Sequence, residues 1–359
     1  MEAGLKSRCD IDLSFPLHGD NNPAAHLRAV ADFMEAEGYG PEAYLAGPSV
    51  VDLEAQVAEL LGKQDAMWCA TGTLAQGVAA RIHAEATGRK DILLHPTSHL
   101  ELHEHHGYRH AHGLEARLYG DWHETLTADD LEPAACAFVE LGQRHNGGAL
   151  PDWEVLVAIK ARARELGVKL HMDGARLWAA RTFYDGRSLA EIADGFDTVY
   201  VSFYKDIGAS GGAVLAGDAE VVEQARIWRG RLGGNLVSAW PMVPDALRLL
   251  DTRLAQMPDF VARARAIAAA VDDMDGLTVT PNPPHTNQMH VRLPCDRATA
   301  ERARDAAAEA TGVWLGNRFW HFEHDPVPAL ELTVGERALE APLQSIVDAL
   351  EVLGREASR

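Results

Sequence analysis

The chain is poor in cysteine and in positive charge, and it has no long apolar run. Its four cysteines, Cys9, Cys69, Cys136 and Cys295, are scattered through 359 residues. Neither metal-binding spacing nor a disulfide framework is written in them, so reduced thiols in a cytoplasmic protein are the expectation. Lysine and arginine together number 33 against 53 acidic residues, a formal charge of −20. An acidic surface repels phosphate backbones and anionic bilayers, which argues against nucleic acid or a membrane as partner. No stretch approaches the roughly eighteen apolar residues of a membrane span, and the first residues carry acids without the apolar centre of a secretion signal.

What is present is a hydrophobic fraction of 47%, enough for a large core. The length exceeds one average domain, which favours two lobes. Apolar residues recur at helical spacing over 22–37, 50–61 and 74–86. Short β-type runs then alternate with helical ones: strands at 91–94, 137–141, 168–172, 198–203 and 212–216, helices at 153–166 and near 188–193. That alternation predicts an α/β domain around a mostly parallel sheet with helices on both faces. Residues 243–275 have helical spacing, with Pro258 expected to start or break a helix. After a 281–284 loop the pattern describes a smaller α/β lobe, so the division expected is 1–245 and 246–359.

Only six lysines occur, and Lys205 alone stands between a buried-type strand and a glycine-rich segment, 206–212. A lysine there either projects a desolvated amine into a cleft, as a Schiff-base candidate, or is an ordinary strand-end cation. Asp173 and Arg176 follow the apolar segment 168–170. The aspartate is either a helix cap or a buried partner for a cationic ring nitrogen. Thr71, Gly72 and Thr73 open a helix whose free N–H groups and hydroxyls suit a phosphate, with Ser202 as a further candidate. Pyridoxal phosphate needs this set: an amine for its aldehyde, a carboxylate for its pyridinium, cations and N–H groups for its phosphate.

Seven histidines crowd residues 95–112. His99 and His103 lack the His-Glu-x-x-His zinc pattern, so a solvated histidine-rich face is expected and no metal site. His145 precedes the turn Asn146-Gly147-Gly148 just past a strand, at the kind of edge where open α/β sheets bind ligands. Its imidazole titrates near neutrality and suits a base that takes the proton of a substrate β-hydroxyl.

In this order the motifs resemble the threonine aldolase branch of the fold-type-I pyridoxal phosphate enzymes, often grouped with the β-eliminating lyases. The resemblance is carried by Tyr44-Leu45-Ala46-Gly47-Pro48, Gly62-Lys63, Thr71-Gly72-Thr73-Leu74, His99 with Glu104, His145 to Pro151, Asp173-Gly174-Ala175-Arg176-Leu177 and Lys205. It implies a fold-type-I, transferase-like α/β architecture with a seven-stranded, mostly parallel sheet. It also implies pyridoxal 5'-phosphate, and cleavage of Cα–Cβ in a β-hydroxy-α-amino acid to glycine and an aldehyde. His99 would lie flat on the pyridine ring, and Arg176 would hold substrate carboxylate or cofactor phosphate. Assembly as a homodimer or homotetramer with shared active sites follows from the same resemblance. The alternatives are β-elimination, racemisation or transamination on the same cofactor, or a non-catalytic or metal-dependent histidine-rich protein. The chain departs from the pattern at Gly47, at Asp206 after the lysine, at 236–240, and at Glu331, where the family carries an arginine. Arg318 is the candidate to replace that arginine.

Overall fold

The computed structural model describes residues 4–19 and 22–359. Contacts divide the chain into two compact units: a larger one of Asn22–Gln143 and Leu150–Ala255, and a smaller one that joins the described residues up to 19 with Arg144–Ala149 and Gln256–Arg359. The linear division after residue 245 expected from the sequence falls inside a continuous helix, Met242–Val271.

The larger unit is built on seven strands: β1 (Asp65–Cys69), β2 (Asp91–Leu94), β3 (Glu115–Leu118), β4 (Cys136–Glu140), β5 (Lys169–Gly174), β6 (Thr198–Ser202) and β7 (Ala213–Gly217). They lie in the order β1-β7-β6-β5-β4-β2-β3, with β7 antiparallel to both neighbours and every other pairing parallel. The mostly parallel α/β architecture expected from the sequence is therefore present. Every residue of β6 and β7 is buried, because helices cover both faces of a parallel sheet and leave no side for water. One such cover is α1 (Gly72–Thr87), whose Val78, Ala79 and Ile82 pack with Met67, Cys69, Ala213 and Leu215.

Two strands, β1 and β3, were not expected from the pattern. β1 is a five-residue apolar run, and β3 an edge strand with only intermediate and exposed positions. The expected break at Pro258 does not occur. Met257, Phe260 and Val261 are buried on both sides of the proline, so packing holds the helix through the one backbone bond that proline cannot donate.

The smaller unit carries an antiparallel sheet of β8 (Thr278–Thr280), β9 (Gln288–Arg292), β10 (Phe319–Phe322) and β11 (Asp325–Thr333), ordered β10-β11-β9-β8. Helices Arg297–Thr311 and Leu343–Ala357 complete it. Its 144–149 segment turns through Gly147 and Gly148, both with positive φ. A Cβ at Gly147 would collide with the Thr280 carbonyl and one at Gly148 with the Thr286 hydroxyl, so only glycine fits this turn.

Candidate active site

Four strands of the larger unit bring candidate residues to one edge of its sheet. β1, β2, β5 and β6 run in the same direction, since β1 and β6 are both antiparallel to β7 and the pairings that link β6, β5, β4 and β2 are parallel, and the residues at or beyond their C-terminal ends are Thr71, His99, Asp173 to Arg176, and Lys205. Ligands of open α/β sheets bind at that edge.

Asp173 ends β5 beside β6, in register with Tyr200, and is 3% exposed. One carboxylate oxygen accepts the Ala175 N–H at 3.1 Å. Burial pushes its carboxyl above the ordinary value, while the charges of Lys205 and His99 pull the other way. The ionised aspartate is thus disfavoured by burial and favoured by the charges of an amine and an imidazole. Lys205 lies three residues past β6 on a turn, half-buried, its ammonium 5.8 Å from the centre of the Tyr204 ring.

His99 begins a one-turn helix after Ser98, and its Nδ1 meets Glu104 Oε1 at 2.9 Å. That carboxylate fixes the ring and selects the tautomer with hydrogen on Nδ1. His103 stays beside it, its ring tilted with centroids 5.1 Å apart, and the remaining histidines disperse. His95 is buried between Thr97, Gln143 and the Asp121 carbonyl, and burial lowers its pKa to about 4. His106 approaches Glu101 at 3.3 Å, and His112 is buried against Gly77. Among the described residues no three His, Cys, Asp or Glu side chains are grouped to hold a metal ion.

Thr71 caps α1, its Oγ1 accepting the Leu74 N–H at 3.2 Å. Thr71 and Thr73 are exposed while Gly72 is buried against the phenol of Tyr200. Ser202 is wholly buried and donates its hydroxyl hydrogen to the Ala175 carbonyl at 2.9 Å, tying the end of β6 to the turn after Asp173. Its contribution to the edge is to shape that turn. Arg176 is buried too, Nη1 standing 3.3 Å from Asp206 Oδ1. The acid that follows Lys205 is therefore the partner of the arginine that follows Asp173.

A second acid–arginine pair lies in the smaller unit, where His145 occupies a one-turn 3-10 segment, Arg144–Asn146. His145 is buried, edge-on to Trp320 at 5.1 Å and to Phe322 at 4.9 Å. Arg144 forms a two-pronged bond with Glu331, Nε to Oε2 at 2.6 Å and Nη2 to Oε1 at 3.0 Å. Its guanidinium lies over the Trp320 ring at 4.7 Å, and the Trp320 N–H donates to Glu331 at 3.1 Å. Arg318, exposed, also lies over Trp320, at 5.1 Å. The Trp320 and Phe322 rings are stacked at 6.2 Å; Arg144 and Tyr200 carried no signal in the sequence, and Asp206 stood out only as a departure from the family pattern.

A mostly parallel seven-stranded sheet with helices on both faces and a smaller unit with an antiparallel sheet is the architecture of a fold-type-I α/β protein. The comparisons agree. The sequence model of the β-eliminating lyase family matches residues 20–295, and the chain belongs to that family. A solved structure from Listeria monocytogenes, provisionally named an L-allo-threonine aldolase, superposes with a TM-score of 0.89 at 32% identity over 98% of both chains. Another from Exiguobacterium, provisionally named an aromatic amino acid beta-eliminating lyase/threonine aldolase, gives 0.88 at 30% identity, again over 98% of both. The low specificity L-threonine aldolase of Escherichia coli is 27% identical over 283 residues, 76% of this chain and 83% of that one.

Proposed function

We propose that this protein is a pyridoxal phosphate-dependent carbon–carbon lyase that cleaves β-hydroxy-α-amino acids, threonine among them, to glycine and an aldehyde. The observation that carries the reading is Asp173: a carboxyl 3% exposed, raised by burial, and opposed by Lys205 and His99. A cationic pyridine N–H is the partner that such a site would stabilise, so the residues fit the cofactor. Lys205 would bind its aldehyde carbon, Asp173 its ring nitrogen, and Thr71, Gly72 and Thr73 with the first N–H groups of α1 its phosphate. Arg176, balanced by Asp206, would stay at the cofactor end. When bound, the cofactor supplies an electron sink for the pair released at Cα.

The chain's own residues do the rest. His99, fixed by Glu104, offers a flat ring to the aromatic cofactor. His145 takes the proton of the β-hydroxyl as Cα–Cβ breaks and the aldehyde C=O forms, and a proton returned to Cα completes glycine. The large apolar side chains Tyr44, Val237 and Trp240 are exposed, and the Tyr44 N–H bonds to the Val237 carbonyl at 2.9 Å, so these segments adjoin. Exposed apolar residues on adjoining segments support a homo-oligomer, dimer or tetramer, with active sites shared between subunits. Four free cysteines support a cytoplasmic location; no helix among the described residues is long and apolar enough to cross a membrane.

The test is to mix purified protein with pyridoxal phosphate, record the visible spectrum, add threonine and other β-hydroxy amino acids, and assay aldehyde. Borohydride reduction followed by mass spectrometry should mark Lys205. Marking of another lysine, or ammonia and keto acid in place of aldehyde, would overturn the assignment of the lysine or of the reaction respectively.

A further inference from the structure

The larger unit has a second group of cations, at the sheet edge opposite the candidate active site. A cavity of about 260 Å³ opens there beside the first residues of β5, and Lys160, Arg164, Lys169 and Asp197 are among its lining. That volume lies near the lower end of small-ligand pockets, which begin at about 300 Å³. Lys160 and Arg164 stand four residues apart on helix Trp153–Leu166 and so share a face. Arg164 is exposed and has no ion pair among the described residues. The acid of the cavity is already taken, Asp197 meeting Lys169 at 2.7 Å. The helix carbonyls of Ala163 and Arg164 accept the Val168 and Gly167 N–H groups at 2.9 and 3.3 Å. What stays uncompensated in the cavity is positive.

Lys160 is half-buried and also has no ion pair among the described residues. Its Nζ donates to the Ile192 carbonyl at 2.9 Å and lies over the Trp153 and Phe196 rings at 5.2 and 5.4 Å. Lys63 caps the same short helix, Leu189–Ala193, donating to the Ala193 and Phe196 carbonyls at 3.0 and 2.6 Å. Burial lowers the Lys160 amine to about 8, against the charge of Asp194 and with that of Lys63. Near pH 7 such an amine is neutral on the order of a hundredfold more often than an exposed lysine at about 10.4. A capping lysine needs its charge, whereas a nucleophile needs its lone pair.

We propose that Lys160 is a modification site, acylated at Nζ by small acyl phosphates whose acyl group enters this cavity and whose phosphate is bound by Arg164. The neutral amine attacks the acyl carbon, an N–C bond forms, and the bond from that carbon to the bridging oxygen breaks with its electron pair on the phosphate. The proton lost by nitrogen goes to the phosphate, so amine and acyl phosphate give amide and hydrogen phosphate, with nothing oxidised or reduced. The amide keeps one N–H for the Ile192 carbonyl. Ala163, Val168 and Leu170, buried side chains of the cavity wall, offer the acyl group an apolar surface. Arg164, one turn along the helix, supplies the charge-assisted hydrogen bonds that a phosphate takes.

The experiment incubates the cofactor-loaded protein with acetyl phosphate and follows acetylation of each lysine by mass spectrometry. Lys160 should outpace Lys90, an exposed lysine, on the order of 10-fold near pH 7, part of its larger neutral fraction being offset by burial. Its rate should level off above about pH 8, while that of Lys90 keeps rising. Inorganic phosphate should slow Lys160 and leave Lys90 unchanged. Arg164→Gln should slow Lys160 several-fold with acetyl phosphate and not with p-nitrophenyl acetate, which carries no phosphate.

Lys160 acetylated no faster than Lys90 overturns the proposal and leaves the residue a helix cap. Fast acetylation that neither inorganic phosphate nor Arg164→Gln alters overturns the assignment of acyl phosphates. If Arg164→Gln does not fold, competition by inorganic phosphate in the wild type decides that point alone.

Discussion

Gly72→Ala is a one-methyl test of the proposed phosphate cradle. Gly72 is the first residue of α1 and is buried; a Cβ built on it would fall well inside contact distance of the Tyr200 Oη and Cζ and 3.0 Å from Cε2. Tyr200 is 1% exposed within the fully buried strand β6, so the ring has little room to retreat. In an open helix, alanine gains up to about 1 kcal/mol over glycine. Here overpacking at about 1–3 kcal/mol opposes and exceeds that gain, leaving a net loss of about 1–2 kcal/mol. The melting temperature should fall by a few degrees. Because the helix start itself must shift, the N–H groups assigned to the phosphate move with it, and cofactor affinity should drop on the order of tenfold or more. Gly40→Ala, at an exposed site with nothing within 4 Å and no positive φ, provides the contrast and should be neutral or slightly stabilising. The assays are thermal melts of the cofactor-free protein and absorbance titration with pyridoxal phosphate. A Gly72→Ala protein that melts at or above wild type and binds cofactor equally well would refute both the clash and the cradle.

Asp173→Asn removes a charge that burial opposes. A carboxyl raised in the fold contributes stability that is complete below its unfolded value, about 4, and is lost as pH rises through the folded one. The cofactor-free variant should therefore be more stable than wild type at pH 7, with the difference vanishing near pH 4, while aldehyde release collapses; a variant less stable at both pH values would count against this. The buried imidazoles have the opposite sign. His83, His95 and His290 are lowered by burial to about 4, so the stability they supply is complete above about 6.5 and drains away as pH falls towards 4. Denaturant melts from pH 8 to 4 should show a loss of several kcal/mol, and a flat profile would contradict it. At His99, replacement by Phe should cost less turnover than replacement by Ala, because the flat ring is retained; equal losses would remove the stacking role.

How far the sequence carried the argument depended on the range of each interaction. β5 and β6 were legible because buried parallel strands are continuous apolar runs, and so was the lysine beyond one and the aspartate at the end of the other. β3 was not, since an edge strand half open to water has no such run. Nor was the unbroken helix through Pro258, where burial of Phe260 and Val261 outweighs a local penalty that sequence shows and packing hides. The pairs Arg144–Glu331 and Arg176–Asp206 lay beyond reach for another reason: ion pairs between distant positions leave no periodicity, and a sequence records the acids only as departures from a pattern.

Those departures are compensated one for one. Asp206, in place of a glycine, is wholly buried, and a buried carboxylate without a cation would cost several kcal/mol; Arg176 is there at 3.3 Å. Glu331, in place of an arginine, would repel a substrate carboxylate, yet Arg144 holds it at 2.6 Å. Each acid has thus taken over an arginine within its own unit, and the two pairings have different consequences. The first ties Arg176 to the residue after Lys205 and is buried on both sides. The second leaves the Arg144 side chain a quarter exposed. Removing one partner therefore costs more at Arg176–Asp206, where the other charge is left buried, than at Arg144–Glu331, where water reaches it.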